Sequence, residues 1–156
     1  MRPDRDTWAM GLAVVTAQRR TCVRRAVGCV LLNHRGHVLS TGYNGVAAGQ
    51  PHCSEGCPCS GASSPSGTNL DGCNAIHAEQ NALLQCSDVW AIHTAYTTTA
   101  PCVTCCKLLL NTGCQRIVYL DDYVQPAART LWESAGRVWS QMEFPSILGD
   151  IIYADH

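Results

Sequence analysis

The sequence has no excess of positive charge: lysine and arginine total 11 against 12 acidic residues, a formal net charge of −1 at pH 7. Long polyanions are ordinarily met by a basic field, so nucleic acid is not the expected partner. Long apolar runs are missing too. The charged start Met1-Arg2-Pro3-Asp4-Arg5-Asp6 leads into an interrupted apolar stretch, too short for a signal peptide or a membrane span. The expectation is therefore a cytoplasmic protein with no membrane partner. Phenylalanine is reduced to Phe144, which leaves little surface for stacking bases. There is no internal repeat, and 156 residues with 46% hydrophobic content suit a single domain over 1–156.

Cysteine, by contrast, is abundant, with 11 residues. Such a count belongs either to a disulfide framework in an exported domain or to thiolates holding metal in a reducing compartment. The odd number, the local grouping and the histidines nearby favour metal.

Along the chain, Trp8, Leu12 and Val15 recur at helical spacing, predicting a first helix over Thr7 to Gln18 that lays this stripe on a core. Ala26 to Leu32, a turn at Asn33-His34-Arg35-Gly36, and Val38 to Tyr43 read as a hairpin. From Asn44 to Gly72, glycine, serine, proline and cysteine dominate, and so few aliphatic residues cannot order the segment by themselves. Then come a helix from about Ile76 to Cys86, a strand near Ile92 to Thr97, a helix over Cys102 to Asn111, a strand over Arg116 to Leu120, and a helix over Pro126 to Ala135. The alternation predicts an α/β fold. Beyond Gly136 the pattern assigns no element.

Chemistry concentrates at two helix starts, His77-Ala78-Glu79 and Pro101-Cys102-Val103-Thr104-Cys105. Cys102 and Cys105, three apart, share a helix face and can reach one zinc ion, with His77 supplying a nitrogen from the neighbouring helix. Three protein ligands leave one position open, which marks a catalytic zinc, because water bound there ionises near neutral pH. The positive ends of the two helices favour the thiolate form of the cysteines. Glu79 lies about 200° around the helix from His77, so it is placed to move protons and not to bind the metal. H-x-E followed by P-C-x-x-C is the described signature of zinc deaminases, and the match is complete. A lone C-x-x-C or a lone histidine would be ordinary structure; their combination with the intervening glutamate is not. Cys29, Cys86, Cys106 and Cys114 read as small buried hydrophobes.

Several further blocks narrow the comparison: Cys22-Val23-Arg24-Arg25-Ala26-Val27-Gly28, Gly42-Tyr43-Asn44-Gly45, His52-Cys53, and Gly113 to Tyr119. With the two zinc motifs, they make the chain resemble the deoxycytidylate deaminases of the cytidine deaminase superfamily, from the first helix to about Gly136. The resemblance implies a three-layer fold, with a mixed five-stranded sheet flanked by helices and its strands four and five parallel, and assembly into homo-hexamers. It implies that dCMP is deaminated to dUMP and ammonia, with Glu79 protonating ring N3 as activated water attacks C4, then passing a proton to the departing amine. By the same analogy Asn44 hydrogen-bonds the sugar 3′-hydroxyl; the alternative is a turn asparagine before Gly45. Arg24 and Arg25 suit a phosphate by their guanidinium geometry, or else are solvated surface charges. Tyr123 packs against the pyrimidine or is structural.

In the same frame, Cys22, Cys53 and Cys73, with Cys57 or Cys59, form a second, structural zinc site that ties down the insertion at about 44–73. Many members respond to dCTP as activator and dTTP as inhibitor, with Mg²⁺ accompanying the triphosphate. This chain reads Leu83-Leu84-Gln85-Cys86-Ser87-Asp88 where regulated relatives carry an aromatic near Gln85 and a basic residue near Asp88. Two rival readings stand beside this one. One is a zinc deaminase of nucleosides or of adenosine in tRNA; the other is a noncatalytic zinc module, against which Glu79 argues, since no structural zinc needs it.

Overall fold

The computed structural model describes residues 2–53, 65, 74–123 and 125–152. Its centre is a five-stranded mixed sheet. In chain order the elements are α1 (Arg5–Ala17), β1 (Gly28–Asn33), β2 (Val38–Tyr43), β3 (Gly45–Val46), β4 (Ala75–Ile76), α2 (Ala78–Gln85), β5 (Ile92–Thr99), α3 (Val103–Leu110), β6 (Arg116–Asp121), α4 (Pro126–Ser134), β7 (Val138–Gln141) and α5 (Ser146–Ile152). The sheet runs β2-β1-β5-β6-β7, and β3 pairs with β4 in a separate two-stranded ladder. β1 is antiparallel to both β2 and β5, while β5, β6 and β7 are mutually parallel. The expected parallel pairing of the fourth and fifth sheet strands is present.

Alternation along β1 explains the three layers. Cys29 and Leu31 point to one face, where they pack with Ala78 and Ala82 of α2, Cys106 and Leu109 of α3, and Trp132 of α4. Val30 and Leu32 point to the other, where they pack with Ala9, Met10 and Ala13 of α1. A strand covered on both faces reads as a continuous apolar run, as Cys29 to Leu32 does.

The first helix corrects the sequence reading. α1 buries Ala9, Met10, Gly11, Ala13 and Ala17, whereas Trp8 is 40% and Val15 57% exposed. The reason is close approach. A β-carbon added at Gly28 would lie 1.9 Å from the Ala13 carbonyl oxygen, so only small residues let helix and strand meet there. α2 sits on β2 in the same way, because a β-carbon at Gly42 would come within 2.3 Å of both the Ala78 oxygen and the Ala82 nitrogen. The segment beyond Gly136, unassigned from sequence, supplies the edge strand β7 and the helix α5. Just before β7, Arg137 donates to the carbonyls of Leu109, Leu110 and Cys114. It thereby ties the end of α3 to the turn that leads into β6.

Candidate active site

Two helix N-termini meet at one end of the sheet. β4 ends at Ile76 and His77 is the N-cap of α2; β5 ends at Thr99 and Cys102 is the N-cap of α3. The His77 backbone N–H donates to Gln80 Oε1 at 3.0 Å, and Cys102 Sγ accepts from the Cys105 backbone N–H at 3.5 Å. Backbone donors at both helix starts are therefore engaged by side chains placed there by the sequence.

His77 Nδ1 lies 3.3 Å from Cys105 Sγ and 3.5 Å from Cys102 Sγ. All three ligand atoms fall within 4.8 Å of one another. Ordinary zinc–sulfur and zinc–nitrogen bonds at a tetrahedral angle would separate such atoms by about 3.6 Å. The donor set therefore fits zinc, and among the described residues it is the one group of three or more His, Cys, Asp or Glu side chains arranged to hold a metal.

Hydrogen bonding from the Cys105 thiol, opposed by burial and joined by hydrogen bonding from His77, brings Cys102 down to about 4, which favours its thiolate form. Its thiolate in turn pushes Cys105 far up and raises His77. Glu79 is only 4% exposed, and burial raises its carboxyl above the usual carboxylate range. Its Oε2 lies 3.5 Å from Cys105 Sγ, so it sits buried beside the donor set.

These groups open into a cleft of about 600 Å³, counting the part open to solvent, whose wall includes Cys22, Arg24, Arg25, Asn44, Glu79, Thr99 and Tyr123. The Arg25 guanidinium lies 5.0 Å from the centre of the Tyr123 ring. Arg24 donates from Nη2 to the Pro65 carbonyl. Asn44, read as a sugar contact, lines the cleft, but its side chain accepts from Val27 N–H and donates to Arg25 C=O, both at 2.9 Å.

Cys22 and Cys53 are both buried. Cys22 Sγ accepts from the Arg24 N–H at 3.4 Å, and the Cys53 N–H donates to the Thr21 carbonyl at 3.2 Å. Cys57, Cys59 and Cys73 lie outside the described residues. Cys29, Cys106 and Cys114 are buried as expected, and Cys86 is half-buried. Sequence reasoning missed Gln125, whose Oε1 accepts from Val103 N–H at 3.0 Å and so ties the loop bearing Tyr123 to the start of α3. No local pattern announces it, because donor and acceptor are 22 positions apart.

Comparison with known proteins bears on this arrangement. Residues 3–121 match the family described as the cytidine and deoxycytidylate deaminase zinc-binding region. The chain belongs to this family. Among its relatives, the deoxycytidylate deaminase of Schizosaccharomyces pombe is 39% identical over 140 residues, covering 86% of this chain and 43% of that protein. That of mycobacteriophage D29 is 43% identical over 124 residues, covering 76% of this chain and 95% of the phage protein. The chain thus spans about two fifths of the length of the S. pombe protein, and the match to the Saccharomyces cerevisiae deoxycytidylate deaminase covers 39% of that protein. The crystal structure of the cyanophage S-TIM5 dCMP deaminase in complex with dCMP and dUMP shares the fold, with a TM-score of 0.71 at 24% identity, covering 91% of this chain and 99% of the phage chain. No helix among the described residues is long and apolar enough to cross a membrane.

Proposed function

We propose that this family member is a zinc-dependent hydrolase that converts dCMP to dUMP and ammonia. The observation that carries the reading is a buried Glu79 set beside a three-ligand donor set at the floor of an open cleft. A structural metal needs neither the open fourth position nor the carboxyl group. The relatives' names and the nucleotides bound in the cyanophage enzyme point to dCMP.

His77, Cys102 and Cys105 would hold the zinc, which when bound supplies a Lewis-acid position at which water is activated near neutral pH. Glu79 takes a proton from the attacking water and delivers it to ring N3 as the C4–oxygen bond forms. It then carries the proton of the new C4 hydroxyl to the amino group, and the C4–nitrogen bond breaks to release ammonia as the C4 carbonyl forms. A raised pKa suits a group that must both accept and donate at neutral pH. Arg25 and Arg24 stand on the cleft wall where a phosphate can be met, and Tyr123, beside Arg25, can pack against the pyrimidine.

The buried Cys22 and Cys53, with Cys73 and either Cys57 or Cys59, are read as a second zinc site bracing the insertion at about 44–73 within one domain. The N–H donated into Cys22 Sγ supports this, since such bonds favour a thiolate ligand. A homo-hexamer, dCTP and dTTP as effectors with Mg²⁺, and a cytoplasmic setting belong to the same reading by family analogy.

The test is ammonia release from dCMP and from deoxycytidine, with zinc per chain measured on the same preparation. Turnover of dCMP well above deoxycytidine, with about two zinc ions per chain as two sites require, supports the reading. Bound zinc with no dCMP turnover, even with dCTP and Mg²⁺ present, overturns the substrate.

A further inference from the structure

We propose that Asn44 is a positioning residue that sets the phosphate-facing arginines, a role separate from any contact with the sugar; the inference rests on the dCMP reading above. No helix or strand lies between Ala17 and Gly28, yet this irregular stretch lends Cys22, Arg24, Arg25 and Val27 to the cleft wall. Irregular backbone that must present charged groups in one geometry needs its own hydrogen-bond partners. Asn44 supplies four of them. Its backbone N–H donates to the Val27 carbonyl and its carbonyl accepts from the Thr21 N–H, both at 3.2 Å. Its Oδ1 accepts from the Val27 N–H and its Nδ2 donates to the Arg25 carbonyl, both at 2.9 Å.

The chemistry of the side chain is specific. An acceptor and a donor must project from one short planar group to reach positions 25 and 27 together, which asparagine does and alanine, serine or leucine do not. The residue is only 6% exposed, so loss of the amide leaves buried backbone groups without partners. One Nδ2 hydrogen and one Oδ1 lone pair remain beyond these two bonds. The stretch that Asn44 clamps includes Arg25, whose guanidinium lies over Tyr123. A change at Asn44 is therefore transmitted to the groups that would meet a phosphate.

The test compares the wild type with Asn44→Ala, using dCMP and deoxycytidine as substrates and hydrogen exchange at the Val27 amide as a readout independent of turnover. The variant should exchange Val27 faster, and its kcat/KM for dCMP should fall about tenfold further than for deoxycytidine, mainly through KM. Equal losses on the two substrates overturn the proposal, because a direct sugar contact is common to both. An unchanged Val27 exchange rate overturns it as well. If Asn44→Ala does not fold, Asn44→Ser serves, with the same direction expected. A wild type that turns over no dCMP defeats the functional reading beneath, while the exchange measurement still decides the clamp.

Discussion

The guanidinium of Arg25 lies 5.0 Å from the centre of the Tyr123 ring, joining the stretch before β1 to the loop after β6 at the cleft wall. Cation–ring attraction of this kind contributes about 0.5–2 kcal/mol, depending on how dry it is. Tyr123→Ala should therefore raise KM for dCMP about 2- to 30-fold, while Tyr123→Phe, which keeps the ring face, stays close to wild type. Steady-state kinetics on the two variants checks this, and equal damage from both would assign the role to the hydroxyl.

Zinc ligation makes a second prediction. Cys102→Ala or His77→Ala should lose about one zinc ion per chain and all measurable turnover, with the secondary structure retained, because these side chains lie at helix starts and outside the sheet core. Zinc content by metal analysis and circular dichroism on the same samples test it. Retention of full zinc in both variants would contradict the ligand assignment.

A third concerns acid stability. Asp6 on α1 accepts from both terminal nitrogens of Arg116 on β6, at 2.9 and 2.7 Å, and from the Tyr96 hydroxyl at 2.6 Å. Arg116 holds the Asp6 carboxyl below its ordinary 3.8 against an opposing effect of burial. A depressed folded-state pKa gives stability that is present above the unfolded value and lost as pH falls through the folded one. The pair is about one third exposed, so its worth is discounted for solvent to about 1–2 kcal/mol. Asp6→Asn should melt about 2–8 °C lower at pH 7, and the gap to wild type should close below about pH 4. A gap independent of pH would contradict the ionic account.

Helix placement yields a fourth. A methyl group at position 42 would meet the Ala78 oxygen and Ala82 nitrogen at 2.3 Å, so Gly42→Ala must push α2 off β2. Overpacking of this kind destabilises by about 1–3 kcal/mol. Because α2 carries His77 and Glu79, activity should fall more than the lost stability explains, which chemical denaturation and kinetics on one sample would separate.

What the sequence revealed depended on how local each signal was. His77, Glu79, Cys102 and Cys105 were legible because both motifs cap helices and their ligand geometry follows from spacing of two or three residues. Apolar runs between turn residues likewise gave β1, β2, β5 and β6 to within two residues. The face of α1 was misread because hydrophobicity marks bulky Trp8 and Val15, whereas the sheet accepts only small residues where Gly28 meets Ala13. The roles of Asn44 and Gln125 were hidden for a different reason. Asn44 finds its partners 17–23 positions away and Gln125 finds Val103 at 22, so only the folded chain brings them together.

In the proposed function Glu79 moves the protons at a zinc site that deaminates dCMP. The most direct measurement is dCMP turnover by the wild type and by Glu79→Gln, each with its zinc content determined. The account predicts that the variant keeps its catalytic zinc and loses about 10²- to 10⁴-fold in kcat, the range expected when a general acid–base group is removed. A zinc-loaded Glu79→Gln protein that deaminates dCMP at the wild-type rate would contradict it.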